Sequence, residues 1–271
     1  KKPHFVRYQS KLNQADWQRL KQKARNIGLT PSMILCAVYA RIMDQWSKTD
    51  RFTLNITQFH RLNLHEQVNE IVGDFTSLTL LVIDTQAWVS FSEWAKNLQQ
   101  QMLQDMEHRN ISGIELMKEI SRQQSTNLFM PVVFTSALPL QDTKTQASPI
   151  DWLGEKLFHI TQTPQVWIDH QIFEENGELI FSWDAVDELF PDSMIQDMFD
   201  AYCHLLHQLI VDDDVWHQTH IYSLPTYQQT MRNKVNETRV LIPEKLLHDG
   251  FFQQAVKQPD HLAIIGLDFS F

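Results

Sequence analysis

The sequence predicts an α/β sandwich built from a sheet with flanking helices. Some stretches repeat their apolar residues at helical spacing, whereas others alternate with period two. The two kinds of stretch follow one another along the chain, as a layered α/β fold requires. The order starts with helices, which argues against a simple barrel.

From Asn13 to Ile27, Trp17, Leu20, Ala24 and Ile27 recur at helical spacing, and Gly28 supplies a stop. Thr30-Pro31 then places an N-cap before a proline at the first helical position, opening a helix through Ile34, Val38, Ile42 and Trp46. That helix is apolar nearly all round, which predicts burial. Phe52 to Thr57 alternates as a strand does, and so does Ser77 to Asp84. A long helix is expected from Phe91 to Glu107, and Ser112 caps another reaching Ser121. Strands are expected at Met130 to Ser136, Gln165 to Phe173 and Leu179 to Trp183, with Asn176-Gly177 as a hairpin turn between the last two. Pro191-Asp192 opens a helix carrying Met194, Met198, Tyr202 and Leu206 to Ile210. After Ser223-Leu224-Pro225 the chain turns polar, and Asn233 to Lys245 reads as linker. A new amphipathic unit starts at Leu247, followed by the strand-like Leu262 to Ile265.

Composition narrows the function classes. The 271 residues are 43% hydrophobic and 11% aromatic, a folded globular composition. A net charge of -10 argues against a nucleic-acid footprint and against attraction to anionic membranes. Cys36 and Cys203 sit in apolar periodic stretches and are expected to be free buried thiols, which suits a reducing cytoplasm. No apolar stretch approaches the ~20 residues that span a bilayer. With neither an initiator Met nor an apolar segment after Lys1-Lys2-Pro3, the chain reads as a piece of something longer.

Common catalytic signatures are missing. The 12 histidines show no metal spacing, and Cys203, His204 and His207 would have to leave a core-facing helix to ligate anything. No metal site is expected. With 7 glycines there is no phosphate loop, and there is no Gly-x-Ser-x-Gly elbow. Three polar residues stand out because each lies in or at the end of an apolar strand: Asn55, Thr135 and Asp169. A carboxylate in a buried strand costs several kcal/mol unless it is paired or its pKa rises. Asp169 therefore reads either as a structural group, capping a turn or pairing with His170, or as a general acid/base of raised pKa.

Three longer segments occur in order. They are Val72-Gly73-Asp74-Phe75-Thr76-Ser77-Leu78, Pro131-Val132-Val133-Phe134-Thr135-Ser136-Ala137, and Thr161-Gln162-Thr163-Pro164-Gln165-Val166-Trp167-Ile168-Asp169-His170. Trp183-Asp184 and Phe190-Pro191 trail the last. This set resembles the C-terminal signature motifs of the heterocyclization domains of nonribosomal peptide synthetases, over about residues 5 to 222. The tail from residue 246 resembles the opening of an adenylation domain. The resemblance implies a chloramphenicol-acetyltransferase-like sandwich lobe of the condensation-domain superfamily, with a mixed sheet. It implies a C-terminal lobe at 1–222, a linker at 223–245 and a truncated adenylation start at 246–271.

The activity so implied joins two carrier-bound substrates, then cyclodehydrates a Cys, Ser or Thr side chain onto the new amide as a thiazoline or oxazoline, as in siderophore or peptide natural-product synthesis. Asp169 and Thr135 are the implied catalytic residues, and Asn55 positions or polarises the intermediate. Asp74, Thr76 and Gln165 are secondary candidates, whereas Ser136, pointing the other way along its strand, is expected to be structural. No cofactor is implied beyond the phosphopantetheine arms that carry substrate. The implied partners are the N-terminal lobe of the same domain, upstream and downstream carrier proteins and the adenylation domain, with no nucleic acid or membrane. That N-terminal lobe carries a two-aspartate motif for which these residues hold no match, so the piece alone is expected to fold without turning over. Two alternatives remain at this level: an ordinary condensation or acyltransferase lobe, and a non-catalytic carrier-docking lobe.

Overall fold

A computed structural model describes residues 3–59, 61, 65–86, 89–138, 159–219, 221, 224–239, 241, 246 and 248–262. The chain divides into two compact units, Lys1–Pro225 and Thr226–Phe271. The first is built on six strands: β1 (Phe5–Leu12), β2 (Arg51–Phe59), β3 (Thr76–Asp84), β4 (Val132–Ser136), β5 (Ile168–Glu175) and β6 (Glu178–Val186). They form one sheet in the order β1-β6-β5-β4-β2-β3. β4 runs parallel to β2 and β5, and the other pairings are antiparallel, so the sheet is mixed as expected.

The helices are α1 (Gln14–Asn26), α2 (Pro31–Trp46), α3 (Phe91–Glu107), α4 (Gly113–Gln124) and α5 (Met194–Val211). Their starts follow the signals in the sequence. Asn13, Thr30, Ser90 and Ser112 each accept a backbone N–H from the first turn, and Glu115 completes a capping box with Ser112. α2 is the central helix: Ile34, Leu35, Ala37, Val38, Tyr39, Ala40 and Ile42 are fully buried. Packed with α1 and α5, it covers one face of the sheet, meeting Leu54, Ile56, Phe134, Ile168, Ile172, Phe181 and Trp183 in one core. Gly113 brings α4 against the opposite face at β3; a Cβ there would lie 3.0 Å from the Leu78 carbonyl oxygen. Asn176 (φ 52°) and Gly177 (φ 78°) make the β5–β6 turn in the left-handed region, as Asn-Gly predicts.

Three expectations change. A strand, β1, comes before the first helix. Its alternation is disguised by long polar residues: Val6, Tyr8 and Leu12 face the core while Arg7, Gln9 and Lys11 alternate with them. Charged side chains are the usual dress of an edge strand. β5 begins at Ile168 rather than Gln165, because Gln165 sits in a turn at φ 68°. In the second unit, a helix α6 (Thr226–Val235) occupies part of the stretch read as linker, its exposed Tyr227, Met231 and Val235 recurring every four residues. Helix α7 (Asp249–Lys257) follows. Leu247 and the 263–265 part of the strand-like segment lie outside the described residues.

Candidate functional site

Period-two alternation sends neighbouring side chains of each strand to opposite faces. On the face opposite α1, α2 and α5, the register lines up two rungs. One runs Asn55, Val133, Asp169, Asp184 and Arg7 across β2, β4, β5, β6 and β1; the next runs Thr57, Thr135, Gln171, Ser182 and Gln9. Apart from Val133, every one of these side chains is polar. The helix-side positions between them are apolar apart from His170, so the sheet has one face for the core and one for chemistry.

Asp169 is the centre of the polar face. It is buried, with 6% of its surface exposed. Gln171 Nε2 donates to its Oδ2 at 3.0 Å and also bonds the Thr161 hydroxyl. Oδ1 of Asp169 is buried and has no partner among the described residues, and the same holds for Oδ1 of Asn55 and Nη1 of Arg7. Burial pushes the Asp169 carboxyl up to about 6; the Gln171 bond opposes the shift, Asp184 adds to it and Arg7 opposes it. A carboxyl poised there can take and return a proton near neutral pH. Asp184 accepts from Arg7 through both oxygens, Nε to Oδ1 at 2.6 Å and Nη2 to Oδ2, and from the Thr161 N–H at 2.8 Å.

The three main sequence candidates share this face. Asn55 is buried and donates to the Met130 carbonyl at 2.6 Å. The Thr135 hydroxyl donates to Thr57 at 3.0 Å, and Thr135 pairs in register with Gln171, the residue that holds Asp169. Asp169 does not pair with His170: that ring points into the helix side, its Nδ1 3.2 Å from the Ser182 carbonyl, among Tyr39, Phe134, Trp183 and Tyr202. Burial lowers the His170 pKa to about 3 and keeps the ring neutral. Ser136 bonds Ser32 of α2 at 2.7 Å on the core side, the structural placement expected.

The secondary candidates lie apart. Thr76 pairs with Phe59 at the far end of β2, four residues from Asn55, roughly 13 Å along the strand. Asp74 is exposed and accepts the Thr76 N–H at 2.8 Å, a bond set that lowers its pKa. Gln165 is exposed in its turn. Thr57, Gln171, Arg7 and Asp184 join the site without being among its sequence candidates. Thr57 and Gln171 each stand two residues from a candidate, which was the available signal, but Arg7 becomes visible only through the β1–β6 register. No cluster of three or more metal-ligating side chains occurs among the described residues. Both cysteines are free; burial pushes Cys36 to about 12 and Cys203 to about 11.

This arrangement can be set beside known proteins. Residues 2–228 match the condensation-domain family. The chain is a condensation-domain family member. Within the family its similarity runs toward cyclization proteins, as the motifs suggested. The EpoB cyclization-docking bidomain of a nonribosomal peptide synthetase from Sorangium cellulosum is 40% identical, with a TM-score of 0.69 over 78% of this chain and 43% of that one. The phenyloxazoline synthase MbtB of Mycobacterium tuberculosis is 35% identical over 89% of this chain, and the pyochelin synthetase PchE of Pseudomonas aeruginosa is 32% identical over 99%. The chain spans only 17% and 18% of those two relatives. A condensation domain of the CDA synthetase shares the condensation fold at a TM-score of 0.63 with 12% identity. Among the described residues no single helix is long and apolar enough to cross a membrane.

Proposed function

We propose that the first unit is the C-terminal lobe of a heterocyclization domain, which condenses carrier-bound acyl and Cys, Ser or Thr substrates and closes the product to a thiazoline or oxazoline. The observation that carries this reading is Asp169, a buried carboxyl with a pKa of about 6 on the same sheet face as Thr135, whose register partner Gln171 holds it. The names of relatives point the same way, one a phenyloxazoline synthase and another a cyclization bidomain.

Ring closure needs such a group. After the side-chain nucleophile has added to the amide carbonyl, a C=N bond forms as the C–O bond breaks. The nitrogen gives up a proton and the hydroxyl leaves as water. Asp169 takes the nitrogen proton and returns one to the departing hydroxyl, so it ends the step as it began. Thr135, held by Thr57, presents its hydroxyl to the same intermediate, and the Asn55 amide orients it. The substrates arrive on phosphopantetheine arms of carrier proteins. The partners are those carriers, the N-terminal lobe of the same domain and an adenylation domain, of which residues 246–271 are the opening, after a linker at 223–245. Because the family's two-aspartate motif has no match in these residues, we expect the chain by itself not to turn over.

The test is Asp169→Ala in a complete module supplied with both loaded carriers. Linear amide without ring is the expected product. Full ring formation would sink the role given to Asp169.

A further inference from the structure

Asp169 and Asp184 face each other across β5 and β6. Directly opposed residues on one face have Cβ atoms about 5 Å apart. Both side chains are buried, and two ionised carboxylates that close in a poorly solvated site repel. Their surroundings separate them. Asp184 takes the two-pronged bond from Arg7 and the backbone N–H of Thr161. Asp169 takes one neutral amide, from Gln171, and keeps a buried Oδ1 with no partner among the described residues. Arg7 lies on the outer side of Asp184 in the same rung, brought there by β1.

The fork geometry of the Arg7 bond matches the two oxygens of the Asp184 carboxyl. A buried ion pair is weak evidence for stability, since desolvating both charges offsets their attraction. Its place next to an acid/base carboxyl gives it another use. We propose that Arg7 and Asp184 are a positioning pair for ring closure: Arg7 engages both oxygens of Asp184, which leaves Asp169 as the carboxyl of the facing pair that exchanges a proton. The proposal rests on the ring-closing reading of Asp169.

Among the described residues, the other groups facing Asp169 do not supply this control. β2 contributes Asn55 and Thr57, and β4 contributes Val133 and Thr135, all uncharged. His159 lies against Phe173, four residues further along β5. Through the sheet from the helix side come Tyr39, which burial holds well above its ordinary pKa, and His170, which burial holds neutral. Burial is the largest cause of the raised Asp169 pKa, Asp184 adds to it and Arg7 opposes it, which agrees with the geometry.

The test follows the Asp169 carboxyl by carbon NMR over pH 4 to 8 in the whole chain, the resonance assigned by its loss in Asp169→Asn. The wild-type curve is a single step near pH 6. Asp184→Asn removes the repelling charge and turns Arg7 toward Asp169, so the step moves down by about one pH unit or more. Arg7→Met leaves two facing carboxyls to share a proton, so the curve splits into two steps. Arg7→Lys keeps the cation and restores a single step. In a complete module, the pH profile of ring closure by Asp184→Asn moves down with the titration. An Asp169 step that stays single and unmoved in both Asp184→Asn and Arg7→Met overturns the inference. If Arg7→Met does not fold, an unmoved step in Asp184→Asn overturns it alone. The two readings fail separately: normal ring closure by Asp169→Asn defeats the assignment of Asp169, whereas lost ring closure with unmoved titrations defeats only the role of Arg7 and Asp184.

Discussion

The two faces of one sheet share every strand and differ in almost everything else. Toward the helices, Leu54, Phe134, Ile172, Phe181 and Trp183 are buried in a single core. His170, buried there among aromatic rings, is held neutral. On the other face, the same strands offer Asn55, Thr135, Asp169, Gln171 and Asp184, with buried polar atoms that have no partner among the described residues. Both faces hold buried polar atoms with no partner among the described residues, but on the core side these are the Tyr39 and Tyr202 hydroxyls, Trp183 Nε1 and His170 Nε2, neutral groups set among aromatic rings. The other face gathers carboxyls, amides and a guanidinium, and that contrast in charge predicts opposite responses to pH and to mutation.

The largest expected effect is on acid stability. The His170 ring titrates near 6.5 when unfolded and about 3 when folded. The unfolded chain therefore binds its proton more strongly. Its contribution is fully present above pH 6.5 and is lost as pH falls toward 3, by roughly 4–5 kcal/mol in all. Urea unfolding of His170→Phe against wild type over that window should show the difference narrowing with acid. A constant difference would contradict the buried neutral ring.

Next comes Trp183→Ala on the core face. The side chain is fully buried and edge-on to Tyr39 and Phe199, so its loss should cost about 3–5 kcal/mol by urea denaturation.

The polar face should answer with the other sign. Asp169 titrates at about 6 folded against 3.8 in the ordinary state. Here the folded chain binds the proton more strongly, so the group favours folding below pH 3.8 and that contribution is lost as pH rises through 6. Asp169→Asn should therefore be more stable than wild type at pH 8, by roughly 2–3 kcal/mol, and equal to it below pH 3.8. A destabilised Asp169→Asn at pH 8 would place Asp169 with the core.

The smallest effects separate neighbours. Ser136→Ala should lose about 1 kcal/mol of stability with its Ser32 bond, and leave ring closure intact. Thr135→Val should change stability by a similar amount through Thr57, yet slow ring closure in a complete module.

Much of the core face was legible because each residue's side is set locally. Helix caps, the Asn176-Gly177 turn and the alternation that turns Ser136 away from Thr135 all lie within a few residues of one another. Asp169 was legible for the same reason, as a carboxyl interrupting an apolar run. Its companions were not. Arg7 and Asp184 are 177 residues apart in sequence and meet only through register, and Arg7 lies on a strand whose polar dress hid it. Gln165 failed in the other direction: its place in the motif said nothing of the left-handed turn that takes it out of the strand.

The measurement that reaches the centre of this account is a single-turnover assay of a complete module carrying Asp169→Asn, with linear and cyclized products separated over pH 5 to 8. Wild type should deliver the ring, and the variant linear amide alone at every pH, in a protein at least as stable as wild type at pH 8. Cyclized product at the wild-type rate would contradict the account and return Asp169 to a structural role.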